Sequence, residues 1–215
     1  MRENNRAHIT QAVPGQLIVF GPLRRYKSLE SLIEAVRVLP SETGISLLLA
    51  GEPLPDEYGH ELAKACNGDE RISLFPEFQT DAQLVQKITS SEIVVIPYDR
   101  VYNSAAALTA LTLARPIITT DSLTMRELKD EVGPEWVHCL KQGCLVNLFS
   151  TPLTTFSRER RGTPQLQNRD WPTIGARYAE LYNQLISRSE STCRNAKLLR
   201  SLNAYCANFT NLAAI

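Results

Sequence analysis

The sequence predicts an α/β fold: a Rossmann-like, doubly wound parallel sheet followed by a C-terminal helical extension. Three observations carry this reading. As far as residue 140, short apolar runs alternate with amphipathic helical patterns, the order that builds a parallel sheet with right-handed crossovers. Runs such as LLLA at 47–50 and IVVI at 93–96 are apolar throughout, as strands covered on both faces must be. The first apolar run, LIVF at 17–20, leads through a glycine and a basic turn into a helix, and ligands of such sheets sit at the carboxyl ends of the strands.

The first strand is expected over 16–21, ending at Gly21. The helix at 28–39 places Leu29, Leu32, Ile33, Val36 and Leu39 on one face, with Glu30, Glu34 and Arg37 opposite. Ser28 is its expected N-cap, and Pro40 stops it. Strands at 45–51, 71–75, 92–97, 115–120 and 135–140 alternate with helices at 56–67, 81–90, 104–114 and 122–131. From about residue 145 the periodicity decays, and the polar stretch 150–169, with RERRG inside it, reads as a loop or linker. Asp170 then caps a helix with Pro172 in its first turn, running through Ile174, Tyr178, Leu181, Tyr182 and Leu185. The tail beyond 189 is weakly helical. The expected organisation is a lead-in at 1–15, the nucleotide-binding domain at 16–149, the linker at 150–169 and a helix with its tail at 170–215.

Composition narrows the class. The 23 Lys and Arg balance 23 Asp and Glu, so no global field draws in nucleic acid or an anionic membrane; any anion must be held by local clusters. Five cysteines without CxxC pairs or zinc-like spacing to histidine fit reduced thiols. No run approaches 18 apolar residues, so no transmembrane segment is expected, although peripheral membrane contact stays open. A cytoplasmic, soluble protein is the expectation.

The stretch LIVFGPLRRYKSLESLIEA at 17–35 carries the chemistry. The first amides of a helix point outward unpaired, and its dipole adds about half a positive charge there. Arg24, Arg25 and Lys27 beside such a terminus point to a phosphate or diphosphate; the bland alternative is a solvated basic turn. After Phe20 the chain reads GPLRRY, so the GxGxxG of dehydrogenases is missing, and no Walker loop is present.

From about Gln16 to Leu185 the chain resembles the C-terminal, donor-binding domain of GT-B fold glycosyltransferases, of the retaining group 1 (family 4) type. The resemblance rests on FGPLRRYKSLESLIEA, ISLLLAGEP, RISLFPEFQTDAQL, SSEIVVIPYDRVYNSAAALTALTLARPIITTD and RDWPTIGARYAELYNQLIS, in that order. It implies transfer of a hexosyl group from a nucleotide-diphosphate sugar to an acceptor. Lys27 then falls on the lysine that contacts the donor diphosphate, with Arg24 or Arg25 standing in for an arginine of the family whose position holds Pro22. Asn103 and Ser104 open a helix whose amides face the sugar phosphate. Gly51 and Glu52, the loop Pro76, Glu77 and Phe78, and Thr109 would border the nucleoside.

The departures are specific. Two glutamates usual in the family fall on Val101 and Thr109, leaving Asp99 as the candidate acid and the catalytic residue otherwise unassigned. PYDRVYNSA is similar to a branch that replaces the first glutamate, but Ala105 and Ala114 occupy positions usually glycine, which weakens close backbone approach to the donor. No metal or cofactor is expected, because cations and helix ends supply the positive charge. The resemblance also implies a missing acceptor-binding domain, in cis or in trans, without which the chain should be inactive or nearly so. The alternatives are a non-catalytic nucleotide-sugar-binding or partner-binding module, a truncated enzyme fragment and, more distantly, half of a nucleotide-sugar epimerase. Beside these, Asp121 is a functional candidate at the strand edge, Glu127 a family-like or surface acid, His138 a packed residue, His60 a surface residue, and Trp136 and Trp171 packing anchors.

Overall fold

The computed structural model describes residues 12–98, 105–141 and 162–192. Six strands form one sheet: β1 (Val13–Phe20), β2 (Ser46–Ala50), β3 (Ile72–Phe75), β4 (Ser91–Ile96), β5 (Ile117–Thr120) and β6 (Val137–Leu140). Their order is β3-β2-β1-β4-β5-β6, and every neighbouring pair is parallel. This is the α/β, doubly wound sheet the apolar runs predict. The order reverses between β1 and β4, which makes their carboxyl ends the topological switch point where such sheets bind ligands. β1 starts at Val13, inside the expected lead-in. Its early residues are held from the neighbouring strand: Val13 pairs with Ser91, and the Gly15 amide donates to the Glu92 carboxylate at 2.6 Å.

The helices are α1 (Leu29–Arg37), α2 (Glu57–Cys66), α3 (Asp81–Ser90), α4 (Ala105–Thr112), α5 (Leu123–Val132) and α6 (Trp171–Thr192). α1 buries Leu29, Leu32, Ile33, Ala35 and Val36, the stripe set by its three- and four-residue spacing. Four of these, all but Ala35, share one core with Tyr58, Leu62 and Cys66 of α2 and with Leu17, Val19, Leu47 and Leu49 of the sheet. Burying the α1 stripe contributes on the order of 10 kcal/mol before the entropy of ordering is subtracted. α3 begins in a capping box, in which the Thr80 hydroxyl accepts from the Gln83 amide and the Gln83 side chain accepts from the Thr80 amide. Ser122 caps α5 through the Met125 amide. Ser28 occupies the N-cap position of α1, but its φ of 51° takes it out of the extended conformation a side-chain cap needs, and no cap bond forms.

Ala114 closes α4. The Arg115 amide donates to the Ala110 carbonyl and the Ala114 amide to the Leu111 carbonyl, the pair of bonds that defines a Schellman motif, with Ala114 at its left-handed position, φ 52°. This revises the sequence reading of residue 114. The conformation that favours glycine there serves the helix end, at the opposite edge of the sheet from the switch point. Arg115 is buried and donates to the Thr89 carbonyl at the end of α3, tying the two helix ends together. Ala114→Gly is expected to raise stability by about 1 kcal/mol by relieving the Cβ contact of that conformation. The denaturant midpoint should rise with an unchanged slope, and a fall would contradict the assignment.

Contacts divide the chain into Met1–Gln165 and Leu166–Ile215. In the second unit the Asp170 carboxylate accepts from the Thr173 amide at 2.7 Å and so caps α6 as predicted; that bond holds its carboxyl below the usual range. Trp171 is 86% exposed, and Trp136, in the first unit, is buried. Tyr178, Leu181, Tyr182 and Leu185 of α6 are also exposed. Of the expected linker at 150–169, residues 150–161 lie outside the described residues, as does the tail beyond 192, while Gln167–Arg169 form a 3₁₀ turn.

Candidate functional site at the switch point

The site is built on the two loops that leave β1 and β2. The Leu23 amide donates to the Glu52 carbonyl and the Leu54 amide to the Leu23 carbonyl, both at 2.8 Å, and Leu23 forms a parallel bridge with Pro53. Leu23 itself is fully buried. The basic loop is therefore fastened at its middle, and this anchor positions residues 24–27 beyond it. Gly51 allows the two loops to come so close: at φ 145°, a Cβ on it would stand 2.3 Å from the Gly21 carbonyl oxygen.

Lys27 is the centre of the site. It ends a short 3₁₀ turn (Arg25–Lys27) and is only 3% exposed. Its Nζ donates to the Phe20 carbonyl, the last of β1, at 2.9 Å and lies 5.3 Å from the centroid of the Tyr98 ring. Tyr98 comes just after β4, so the ammonium sits where β1 and β4 end together. The Tyr26 ring stands edge-on to Tyr98 at 5.5 Å and is itself exposed. Burial lowers the Lys27 ammonium from its ordinary 10.5 to about 8, with Arg24 adding like-charge repulsion. Burial also pushes the Tyr98 phenol upward, so it stays neutral. An ammonium with one carbonyl bond and one aromatic face has donors left over, and a diphosphate oxygen is the partner that would recover its lost solvation.

The two arginines part company. Arg25 pairs with Glu61 of α2 at 2.5 Å and stacks 4.7 Å over the Tyr58 ring. That exposed pair raises the Arg25 guanidinium and lowers the Glu61 carboxyl. Arg24 is exposed and makes no ion pair among the described residues. Of the two candidates, Arg24 is thus the one available to reach an anion.

The remaining candidates lie along the same edge or outside the described residues. Gly51 is buried and Glu52 exposed at the end of β2; Pro76, Glu77 and Phe78 lie beyond β3 and are all exposed. Thr109 is half-buried in the second turn of α4. Asp99, Val101, Asn103 and Ser104 lie outside the described residues. Asp121 is committed to structure: Arg126 donates to its two carboxylate oxygens, from Nε at 2.6 Å and from Nη2, which holds the carboxyl below its usual range. Its carboxylate, at the carboxyl edge of β5, is thus engaged by Arg126. Glu127 is exposed, and burial lowers the half-buried His138 imidazole. Sequence reasoning missed Tyr98 and Tyr26. The available signal was an aromatic placed two residues beyond the fully apolar strand that ends at the switch point.

Known proteins are similar to this chain. Residues 14–148 match the family model described as "Glycosyl transferases group 1". A GDP-mannose:glycolipid 4-beta-D-mannosyltransferase of Xanthomonas campestris pv. campestris is 33% identical over 177 residues, which cover 82% of this chain and 50% of that protein. The chain thus spans about half the length of the curated relatives it matches. Among solved structures, the C-terminal domain of a glycosyl transferase group 1 family protein from Francisella tularensis superposes with a TM-score of 0.50 at 18% identity, covering 67% of this chain and 77% of that one. Anabaena HepE in complex with UDP-glucose gives 0.51 at 17% identity, over 66% of this chain and 40% of that one. These structures share the fold. Among the described residues no helix is long and apolar enough to cross a membrane, and no three His, Cys, Asp or Glu side chains gather into a metal-binding group. With the family model spanning the sheet from β1 to β6, this chain belongs to the group 1 glycosyl transferases.

Proposed function

We propose that this chain is the donor-binding half of an enzyme that transfers a hexosyl group from a nucleoside diphosphate sugar to an acceptor. One observation carries the reading: a nearly buried ammonium, Lys27, held at the carboxyl end of β1 beside β4. Lys27, helped by Arg24, stabilises the diphosphate as it leaves, and charge stabilisation of this kind is usually the largest catalytic term. Asn103 and Ser104, ahead of α4, hold the sugar phosphate; Gly51, Glu52, Pro76, Glu77 and Phe78 border the nucleoside, and Thr109 the ribose. Because the chain's own cations supply the charge, donor binding is proposed to survive chelation of divalent metals. The curated relatives are named for GDP-mannose, which makes it the first donor to test; HepE, at fold-level similarity, is named with UDP-glucose.

The acceptor is held by a second domain, in cis or in trans, and the reaction proceeds on the cytoplasmic side. Closure between the two halves excludes water and aligns the substrates, so this chain alone binds donor without appreciable turnover. Isothermal titration with GDP-mannose, UDP-glucose and ADP-glucose tests the reading. Binding of GDP-mannose is the expected result, and ligand at 100 times its dissociation constant should stabilise the chain by about 2.7 kcal/mol. Absence of heat with all three donors would remove the assignment. Retention, which the resemblance implied, is tested by comparing the anomeric configuration of the product with that of the donor.

A further inference from the structure

Lys27 is a buried cation that no carboxylate pairs with among the described residues. The charged group that acts on it, Arg24 just ahead of its own turn, repels it. Two groups face the ammonium from the sheet. One is the Phe20 carbonyl at the end of β1, 2.9 Å away; the other is the Tyr98 ring just after β4, its centroid 5.3 Å from Nζ. That distance is within reach of a cation–π contact, which counts for most where water is excluded. The ring is itself set in place: Tyr26 stands against it at 5.5 Å with the planes at 81°, the edge-to-face geometry that aromatic pairs prefer. Burial keeps the Tyr98 phenol neutral, so the ring offers the ammonium a negative face and adds no net charge. A carboxylate at that place would also hold the ammonium charged, but it would repel an arriving diphosphate.

We infer that Tyr98 is a positioning residue for the donor diphosphate, its ring face keeping the Lys27 ammonium charged at the ends of β1 and β4 while leaving the positive charge of the site unneutralised. The inference rests on the donor-binding function proposed above and adds to it the group that makes Lys27 usable. Tyr98 acts through Lys27, and Tyr26 acts through Tyr98 by fixing the plane of its ring. The π-face does this and the hydroxyl does not, so phenylalanine serves in its place.

Titration of the Lys27 side chain by NMR in the free chain reads the effect of the ring directly, with Lys27→Met assigning the signal. Tyr98→Leu is expected to move the Lys27 midpoint down by about one pH unit, and Tyr98→Phe to leave it within about a third of a unit. Binding of GDP to the same proteins reads the consequence. The leucine variant should bind within about twofold of wild type at about pH 6 and about tenfold more weakly at about pH 9, because its ammonium discharges sooner. The phenylalanine variant should follow wild type throughout. Three results would overturn the inference: an unmoved midpoint in Tyr98→Leu, an equal fall in Tyr98→Phe, or a GDP loss in Tyr98→Leu that is the same at both pH values. The last would mark a loosened loop and not a discharged ammonium. All three leave the diphosphate site intact, since wild type still binds GDP. A wild-type chain that binds no GDP at either pH removes the donor-site reading itself, and the role of Tyr98 with it. Tyr98→Met, unbranched and without a ring, repeats both measurements should the leucine variant fold poorly.

Discussion

Lys27→Met is expected to weaken nucleoside diphosphate binding by about 100-fold while stabilising the fold by about 2 kcal/mol. Both effects come from one buried charge. A charge-assisted bond to a diphosphate oxygen is worth about 1.5–3 kcal/mol, and methionine offers no donor to replace it. In the folded chain the ammonium sits at about 8 instead of 10.5, so holding it charged costs roughly 3 kcal/mol; losing its bond to the Phe20 carbonyl returns about 1 kcal/mol of that. The sign with pH is set by the depressed value. Between about pH 8 and 10.5 the unfolded chain binds a proton that the folded chain does not, so wild-type stability rises with pH through that window. The advantage of Lys27→Met is therefore full below pH 8 and fades above it. Binding runs the other way: wild-type affinity should fall as pH rises through about 8 and the ammonium discharges. Thermal unfolding with and without GDP, on either side of that value, reads all of this. A GDP-induced shift equal to wild type in Lys27→Met would remove lysine from the site.

Gly51→Ala is expected to cost about 4 kcal/mol or to prevent folding. The added Cβ would stand 2.3 Å from the Gly21 oxygen and 2.7 Å from its carbon. Both are backbone atoms, and the loop beyond them is fastened by the Leu23–Glu52 and Leu54–Leu23 bonds, so neither side yields easily. Gly44→Ala is the control. It has a left-handed requirement of its own at φ 67° but nothing within 4 Å of the built Cβ, and should cost only about 1 kcal/mol. Urea denaturation of the two variants separates steric clash from conformational strain. Equal losses would mean that the close approach of the β1 and β2 loops does not matter. Because Gly21 comes directly after the carbonyl that holds Lys27, any Gly51→Ala protein that folds should also bind GDP more weakly.

The folding pattern was legible because its causes are local. A strand buried on both faces must be apolar throughout, and a helix lying on it must repeat every three or four residues. LIVF, LLLA and IVVI, and the stripe from Leu29 to Val36, met those conditions within a few residues of chain. The basic turn at 24–27, between a strand and a helix, was legible for the same reason. Its side chains behaved differently from one another, and nothing in RRYK says which arginine will turn towards Glu61, 36 residues away. Nor does TTDSLTMRE reveal that Asp121 is spent on Arg126.

The order of strands and helices, the family and the place of the cationic turn could all be read from the residues alone, because burial and periodicity act over neighbours in the chain. Two features came from the folded arrangement instead: Lys27 enclosed between the Phe20 carbonyl and the Tyr98 ring, and Arg25 taken by Glu61 while Arg24 makes no ion pair among the described residues. The parallel sheet brings the ends of β1 and β4 together although they are far apart in sequence. The solvation a buried charge or carbonyl loses is set by whatever the fold places beside it.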